Sequence, residues 1–457
     1  MVKPHNKYES RVFYRNLSSP MPMAVRAEGA YIYDKSGKKY LDSSGGAAVS
    51  CLGHNPRSVI SAVKKQVSEL AYAHTAFFTS QPAESLATKL IAYSNNLLDR
   101  VYFVSGGSEA IETSLKLARQ YFIEVNEPKR INFIGRKQSY HGNTLGALAA
   151  SGNPSRRAPF NPILGSNFYH IEPCHFWRWS NKFENPEDYG IRTASMLEEK
   201  IKELGRETVA AFIAEPLVGA TMGAVPAVKG YFKKIKQICE EYGVLLILDE
   251  VMCGMGRTGS MFAWQQEQVE PDIVCIAKGL GAGIQPIGAT ITNSKIYNAF
   301  RNGSGSFKHG HTYIGHPTAC AAGLAIMKAI QSQNLLDRIT KNGTLFFENL
   351  NQTFLNHPNV GNIRGRGYLL GIELVKDRTT KEPFDPDLKL AHFIKKAAFE
   401  NGLICYPGSG TVDGVKGDHI LLAPPYTFTD SHFEELYEKI NKSVLTALFH
   451  SGANRKL

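Results

Sequence analysis

The stretch Val244-Leu245-Leu246-Ile247-Leu248-Asp249-Glu250 decides the fold class. Five apolar residues run without alternation into two carboxylates, the pattern of a strand buried on both faces. Outward from it, similar short runs recur at Arg100–Val104, Arg130–Ile134, Ala210–Ala214, Asp272–Ile276 and Ile287–Ile291. Longer amphipathic stretches, such as Ser108–Phe122 and Gly230–Glu241, lie between them. Strand–helix alternation of this kind predicts an α/β protein with a mostly parallel central sheet between helices.

In such sheets ligands sit beyond the carboxyl ends of the strands. Polar residues fall at four such ends: Ser105-Gly106-Gly107-Ser108, Glu215, Asp249-Glu250 and Lys278. The topology therefore predicts one convergent site. The two ends of the chain read differently. Tyr31–Tyr33 and Lys39–Leu41 flank an Asp34-Lys35-Ser36-Gly37 turn, a hairpin signal, while Tyr368–Val375 reads as a strand and Leu388–Glu400 as a helix. The expected division is residues 1–70 and 336–457 forming a smaller α+β domain around a large domain at 71–335.

Composition excludes several classes. The chain of 457 residues is 43% hydrophobic and 20% charged, as ordinary globular proteins are. No apolar window is long enough for a membrane span, and Met1 to Ser19 has no apolar core of the kind a secretory signal needs. The net charge of +11 is spread out rather than gathered into stripes, which argues against a nucleic-acid partner. Seven scattered cysteines with no C-x-x-C spacing fit free thiols in a reducing compartment, hence a cytoplasmic address.

Each candidate residue has a chemical reading and a plain one. Lys278, followed by Gly279-Leu280-Gly281-Ala282-Gly283, suits a desolvated nucleophilic amine able to form a Schiff base; an exposed turn lysine is the alternative. Asp249, closing an apolar strand, needs a cationic partner such as a protonated pyridine nitrogen, or else caps the next turn. Glu250 faces the other way if the strand continues, and is the weaker candidate. The Gly107-Ser108 turn opens a helix and suits a phosphate, though an ordinary helix start reads the same way. It lacks the spacing of the nucleotide-binding glycine motifs. Tyr140 in Tyr140-His141-Gly142 is placed to stack on a planar ring or to fill the core. His309, His311 and His316 have no acidic or cysteine partner at ligand spacing, so no metal site is expected.

Taken together these residues resemble the class III pyridoxal-phosphate-dependent aminotransferases, the ω-amino-acid group of fold type I. The resemblance runs from about Ala27 to Tyr426. It is carried by Tyr33-Asp34 with Gly37–Asp42, Leu52-Gly53-His54-Asn55-Pro56, Ser105–Arg119, Tyr140-His141-Gly142, Glu215-Pro216, Leu248–Val251, Gly256-Arg257-Thr258-Gly259, Pro271-Asp272-Ile273 and Lys278-Gly279. It implies pyridoxal 5'-phosphate held as an internal aldimine on Lys278, which also shuttles the proton. It further implies Asp249 on the pyridine nitrogen, Val251 and Tyr140 on the two ring faces, Gly107 and Ser108 on the phosphate, and Glu215 in support. Thr312 is implied to reach the phosphate from the second subunit of a homodimer.

The implied activity is ping-pong transfer of an amino group from an amine or ω-amino acid to a 2-oxo acid such as pyruvate. A racemase or aminomutase on the same scaffold is the alternative; intact Lys278, Asp249 and phosphate-turn residues weigh against a non-enzymatic binding protein. Two departures bear on substrate. Relatives using ornithine, acetylornithine or γ-aminobutyrate carry a Glu where this chain has Ala220, and many place an Arg just before the segment Ala423-Pro424-Pro425, where this chain has Leu421 and Leu422. Both losses argue against those three activities; an α-carboxylate would then need another cation, for which Arg364 and Arg366 are available, a purely structural Arg364-Gly365-Arg366-Gly367 being the alternative.

Overall fold

The computed structural model describes residues 10–17 and 21–453, so most of the Met1–Ser19 reading lies outside the described residues. Seven strands build the large sheet: β1 (Arg100–Val104), β2 (Asn132–Arg136), β3 (Phe168–Ile171), β4 (Val209–Ala214), β5 (Leu245–Asp249), β6 (Ile273–Ile276) and β7 (Gly288–Thr292). Their order across the sheet is β1-β7-β6-β5-β4-β2-β3. Strands β4 to β7 are buried along their whole length, as the unbroken apolar runs require. The edge strands β1 and β3 are partly exposed.

The pairs β5–β6, β5–β4, β4–β2 and β2–β3 are parallel, and both antiparallel pairs involve β7. A parallel return needs a crossover element. Between β6 and β7 the chain makes only a single tight turn at Lys278–Leu280, so β7 comes back antiparallel.

Strand β2 starts two residues later than the sequence suggests. The Arg130 guanidinium donates to the carbonyls of Val209 and Tyr242 and pins the approach to the strand in a loop. Helix α1 (Gly107–Glu124) packs Ala110, Ile111, Leu115, Ala118 and Phe122 on the sheet, apolar positions recurring at helical spacing. Its start is fixed by Glu109, whose Oε2 accepts from the Ser105 N–H at 2.7 Å.

The two chain ends meet. The hairpin Tyr31–Asp34 and Lys39–Asp42 forms as expected, and Leu403–Ile404 joins it in parallel, with Leu403 opposite Leu41. A second four-stranded sheet, Val360–Arg366, Leu369–Leu374, Asp418–Leu422 and Tyr406–Ser409, is antiparallel. Helices Leu390–Glu400 and Asp430–His450 bury Ile394, Ala397, Leu436, Ile440 and Val444 in this C-terminal part. The first of them begins at Leu390, not Leu388, because Pro386–Leu388 forms a tight turn and Lys389 takes a positive φ of 49°. No helix among the described residues is long and apolar enough to cross a membrane.

Candidate active site

Beyond the carboxyl ends of β1, β2, β4, β5 and β6 lies a cavity of about 330 Å³. Seven residues singled out in the sequence line it: Gly107, Ser108, Tyr140, Glu215, Asp249, Val251 and Lys278. Ala220 and Val49 also line it, so the N-terminal part of the chain reaches the site.

Lys278 stands two residues past β6 with a positive φ of 46°, a conformation that side chains larger than glycine adopt at a cost. That turn points the chain back toward β7 while leaving the amine in the cavity. Burial brings the amine down to about 8, although Asp249 and Glu215 pull the other way. A lysine near that value carries a usable fraction of free amine at neutral pH, so it is a nucleophile rather than a surface charge.

Asp249 ends β5, buried. Its Oδ1 accepts from the Val251 N–H at 3.0 Å, and its Oδ2 lies 2.8 Å from His141 Nδ1. The capping role is therefore real, yet it uses one oxygen only. Glu250, next along, turns away into the core. It accepts from the N–H groups of Ala263 and Trp264, and burial pushes it up to about 8. Glu215 ends the β4 segment and receives the N–H groups of Gly219 at 3.3 Å and Tyr140 at 3.4 Å. Burial raises its carboxyl above the usual range, against the pull of His141 and Arg136.

The α1 turn closes tightly on this floor. A Cβ on Gly107 would meet Val251 Cγ1 at 2.7 Å, so glycine is what allows the helix start and the β5 end to share one cavity. Gly106 caps α1 without a side-chain hydrogen bond, which leaves the first N–H groups turned outward beside the Ser108 hydroxyl. Ser108 Oγ donates to Asn143 Oδ1 at 3.0 Å.

These groups fit pyridoxal phosphate. A helix start offers donors for a phosphate, and Val251 and Tyr140 line the cavity beside it. Among the described residues the buried Asp249 carboxylate makes no ion pair with a Lys or Arg, only the contact with His141. The amine needed for a covalent link lies in the same cavity.

Two expected cations, Arg364 and Arg366, fall elsewhere, while Thr312, expected to serve a second copy, stands apart from its own chain's cavity. Thr312 is exposed outside the cavity, its carbonyl accepting from the Tyr72 hydroxyl at 2.9 Å. Arg364 is buried, paired with Glu373 at 2.5 Å and donating to the carbonyls of Met222 and Gly223. Arg366 pairs with Glu267. Both arginines are spent on the structure and neither lines the cavity. His309 lies 2.9 Å from both Thr113 Oγ1 and Lys116 Nζ, and no group of side chains able to hold a metal ion occurs among the described residues.

His141 is the residue the sequence reading passed over. It lies in Tyr140-His141-Gly142, and a polar ring beside a candidate stacking residue is the sequence signal that points to a buried partner. Gly142 sits at φ +140°, and a Cβ there would strike Ser108 Oγ at 2.6 Å.

Comparison with known proteins places the chain firmly. A family model described as "Aminotransferase class-III" matches residues 13–444. An uncharacterised aminotransferase of Schizosaccharomyces pombe is 44% identical over 437 residues, covering 96% of this chain and 95% of that one. A protein named gamma aminobutyrate transaminase 3, chloroplastic, from Solanum lycopersicum is 35% identical over 429 residues, 93% of this chain and 80% of that one. Among solved structures, the omega transaminase from Pseudomonas jessenii in complex with PMP superposes with a TM-score of 0.89 at 32% identity, covering 95% and 94% of the two chains.

Proposed function

The chain belongs to the class-III aminotransferases, and from that premise we propose how its residues divide the work. The protein is a pyridoxal-phosphate-dependent enzyme of fold type I that moves an amino group from an amine donor to a 2-oxo acid in two half-reactions. Bound in the cavity, the cofactor supplies an electron sink for the carbanion at the donor carbon.

Lys278 would hold the cofactor through its aldehyde, and its cavity-facing amine is the group that would move a proton at the donor carbon. The observation that supports this most directly is a cavity-facing lysine brought down to about 8 beside two carboxylates. Asp249 would hold the protonated pyridine nitrogen, with His141 orienting its carboxylate at 2.8 Å. Val251 and Tyr140 fix the plane of the ring. Gly107 and Ser108 take the phosphate, while Glu215 anchors the Tyr140 loop through the Tyr140 N–H. The large unit at 71–335 carries all of these groups, and 1–70 with 336–457 closes over it.

A homodimer completes the site, with Thr312 reaching the phosphate of a second copy. In support, Phe77, Phe78 and Tyr313 are large aromatic side chains left exposed. A smaller cavity, lined by Tyr313 and His316, shares Ser105, Gln285, Pro286 and Ile287 with the cofactor cavity. Seven free cysteines, six of them buried, support a cytoplasmic address. The donor class we favour is an amine or short ω-amino acid, with pyruvate as one acceptor; the likeness to a protein named gamma aminobutyrate transaminase keeps γ-aminobutyrate in the panel to be tried, despite Ala220.

The test is spectroscopic. Purified protein reconstituted with cofactor is expected to show a visible to near-ultraviolet band that Lys278→Ala removes. Adding an amine donor must bleach that band and release a carbonyl product. Return of the same nitrogen on the same substrate, inverted or migrated, would defeat the transfer reading.

A further inference from the structure

A donor or acceptor with a carboxylate needs a cation near the mouth of the site. Lys278 is the one Lys or Arg among the cavity-lining residues, and it is committed to the cofactor. Arg364 and Arg366 are paired with Glu373 and Glu267. Neighbouring arginines are likewise occupied: Arg136 is buried and donates to the Glu215 carbonyl, and Arg157 donates to the carbonyls of Ala149 and Ser151.

Arg156 differs. Its guanidinium carbon lies 4.5 Å from the centroid of the Tyr140 ring, which lines the cavity. Among the described residues no carboxylate or carbonyl takes a hydrogen bond from this guanidinium, and the side chain is exposed. A stack on an aromatic ring orients a guanidinium without using its N–H groups, so the fork that matches a carboxylate stays free. The backbone beneath it is fixed. Asn153 Oδ1 accepts from the Arg156 N–H at 3.2 Å, and Asn153 Nδ2 donates to Gln138 Oε1 at 2.7 Å. Gln138 in turn donates to the Gly410 carbonyl at 2.9 Å, pinning the glycine-rich 408–417 loop. That loop packs on the same turn, for a Cβ on Gly414 would come within 2.9 Å of Pro154. On the cavity wall, Ala220 contributes no carboxylate to compete for the cation.

We propose that Arg156 binds the substrate carboxylate at the Tyr140 rim of the cavity and selects ω-amino acids over amines that lack an acid group. The inference rests on the aminotransferase reading and names its substrate class. The orienting devices are the Tyr140 ring and the Asn153–Gln138–Gly410 chain of hydrogen bonds.

The test uses reconstituted holoenzyme, Arg156→Ala and Arg156→Lys, with two readouts. Calorimetry measures binding of valerate, which has no amine to react, against 1-pentanol. Valerate affinity is expected to fall about 10- to 100-fold in Arg156→Ala, the span of a charge-assisted hydrogen-bond pair, and to recover partly in Arg156→Lys. Pentanol affinity serves as the reference for cavity integrity. Half-reaction kinetics then compare β-alanine with 1-phenylethylamine, and the KM for β-alanine is expected to rise about tenfold or more relative to that for the neutral amine. Equal losses with both ligands and both donors, or no change in valerate binding, would overturn the proposal. Wild-type protein that converts neither donor would overturn the aminotransferase reading instead, and valerate binding would still decide the role of Arg156.

Discussion

His141 Nδ1 and Asp249 Oδ2 lie 2.8 Å apart, both buried, joining the loop after β2 to the end of β5. The bond holds one carboxylate oxygen while Val251 N–H holds the other, so the carboxylate plane is fixed before any cofactor enters. Removing the histidine frees that plane without removing the charge. Partners of this kind around a bound group change affinity or rate by about 10- to 100-fold. His141→Phe is therefore expected to lower the single-turnover rate with an amine donor by about that factor. Near-native far-ultraviolet dichroism would accompany the loss, and an unchanged rate would remove His141 from the site.

Lys278 makes a pH prediction for the cofactor-free protein. Its amine is held near 8 in the fold against 10.5 when unfolded, so between those values the unfolded chain binds the extra proton. Stability contributed at this residue therefore rises with pH across that window, and the penalty is complete below it. Lys278→Met removes both the penalty and the slope. Below pH 8 the variant is expected to be more stable than the wild type by about 2 kcal/mol after allowance for solvent screening. Urea titrations at pH 7 and pH 10 measure it; parallel curves for the two proteins at both pH values would contradict it.

Gly107 faces Val251 with no room for a methyl group. Gly107→Ala is expected to weaken cofactor retention, read by dialysis and absorbance, by about tenfold, a cost of about 1.4 kcal/mol. Because the clash is with Val251 Cγ1 at 2.7 Å, the double variant Gly107→Ala with Val251→Ala should recover part of it. Strict additivity of the two losses would show that the contact does not matter.

Arg364 sits in a buried cluster where Glu373 also meets Arg178 and His175. Against its burial, the Arg364 guanidinium, with a hydrogen bond from His175 and the charge of Arg178, holds the Glu373 carboxyl well below its usual range. Breaking such a pair leaves an uncompensated charge and costs about 3–5 kcal/mol. Arg364→Met is thus expected to lower the midpoint of thermal unfolding strongly, while the ratio of KM values for β-alanine and 1-phenylethylamine stays at the wild-type figure. A selective rise for β-alanine would return Arg364 to the role assigned above to Arg156.

How much of this was legible follows from where each signal lies. Strands β4 to β6 could be read because continuous apolar runs have few other homes, and Glu215, Asp249 and Lys278 stand at or just beyond their ends. The start of β2 was misplaced because Arg130 looks like an ordinary strand-entry residue until its carbonyl partners on Val209 and the residue before Gly243 are known. Arg364 and Arg366 looked available for the same reason. A lone sequence shows a cation but not the Glu373 or Glu267 that consumes it.

By itself the sequence determined the α/β class, the family and the cavity-lining set of Gly107, Ser108, Tyr140, Glu215, Asp249, Val251 and Lys278, because local patterning and motif order are written along the chain. The tertiary structure alone decided which charges are free. His141 meets Asp249 across 108 positions of sequence, Arg364 is neutralised by Glu373, and among the described residues Arg156 has no ion-pair partner and lies against Tyr140. Pairing of charges depends on distances of a few ångströms between segments remote in sequence. Only the packed sheet, with its loops gathered at one edge, sets those distances.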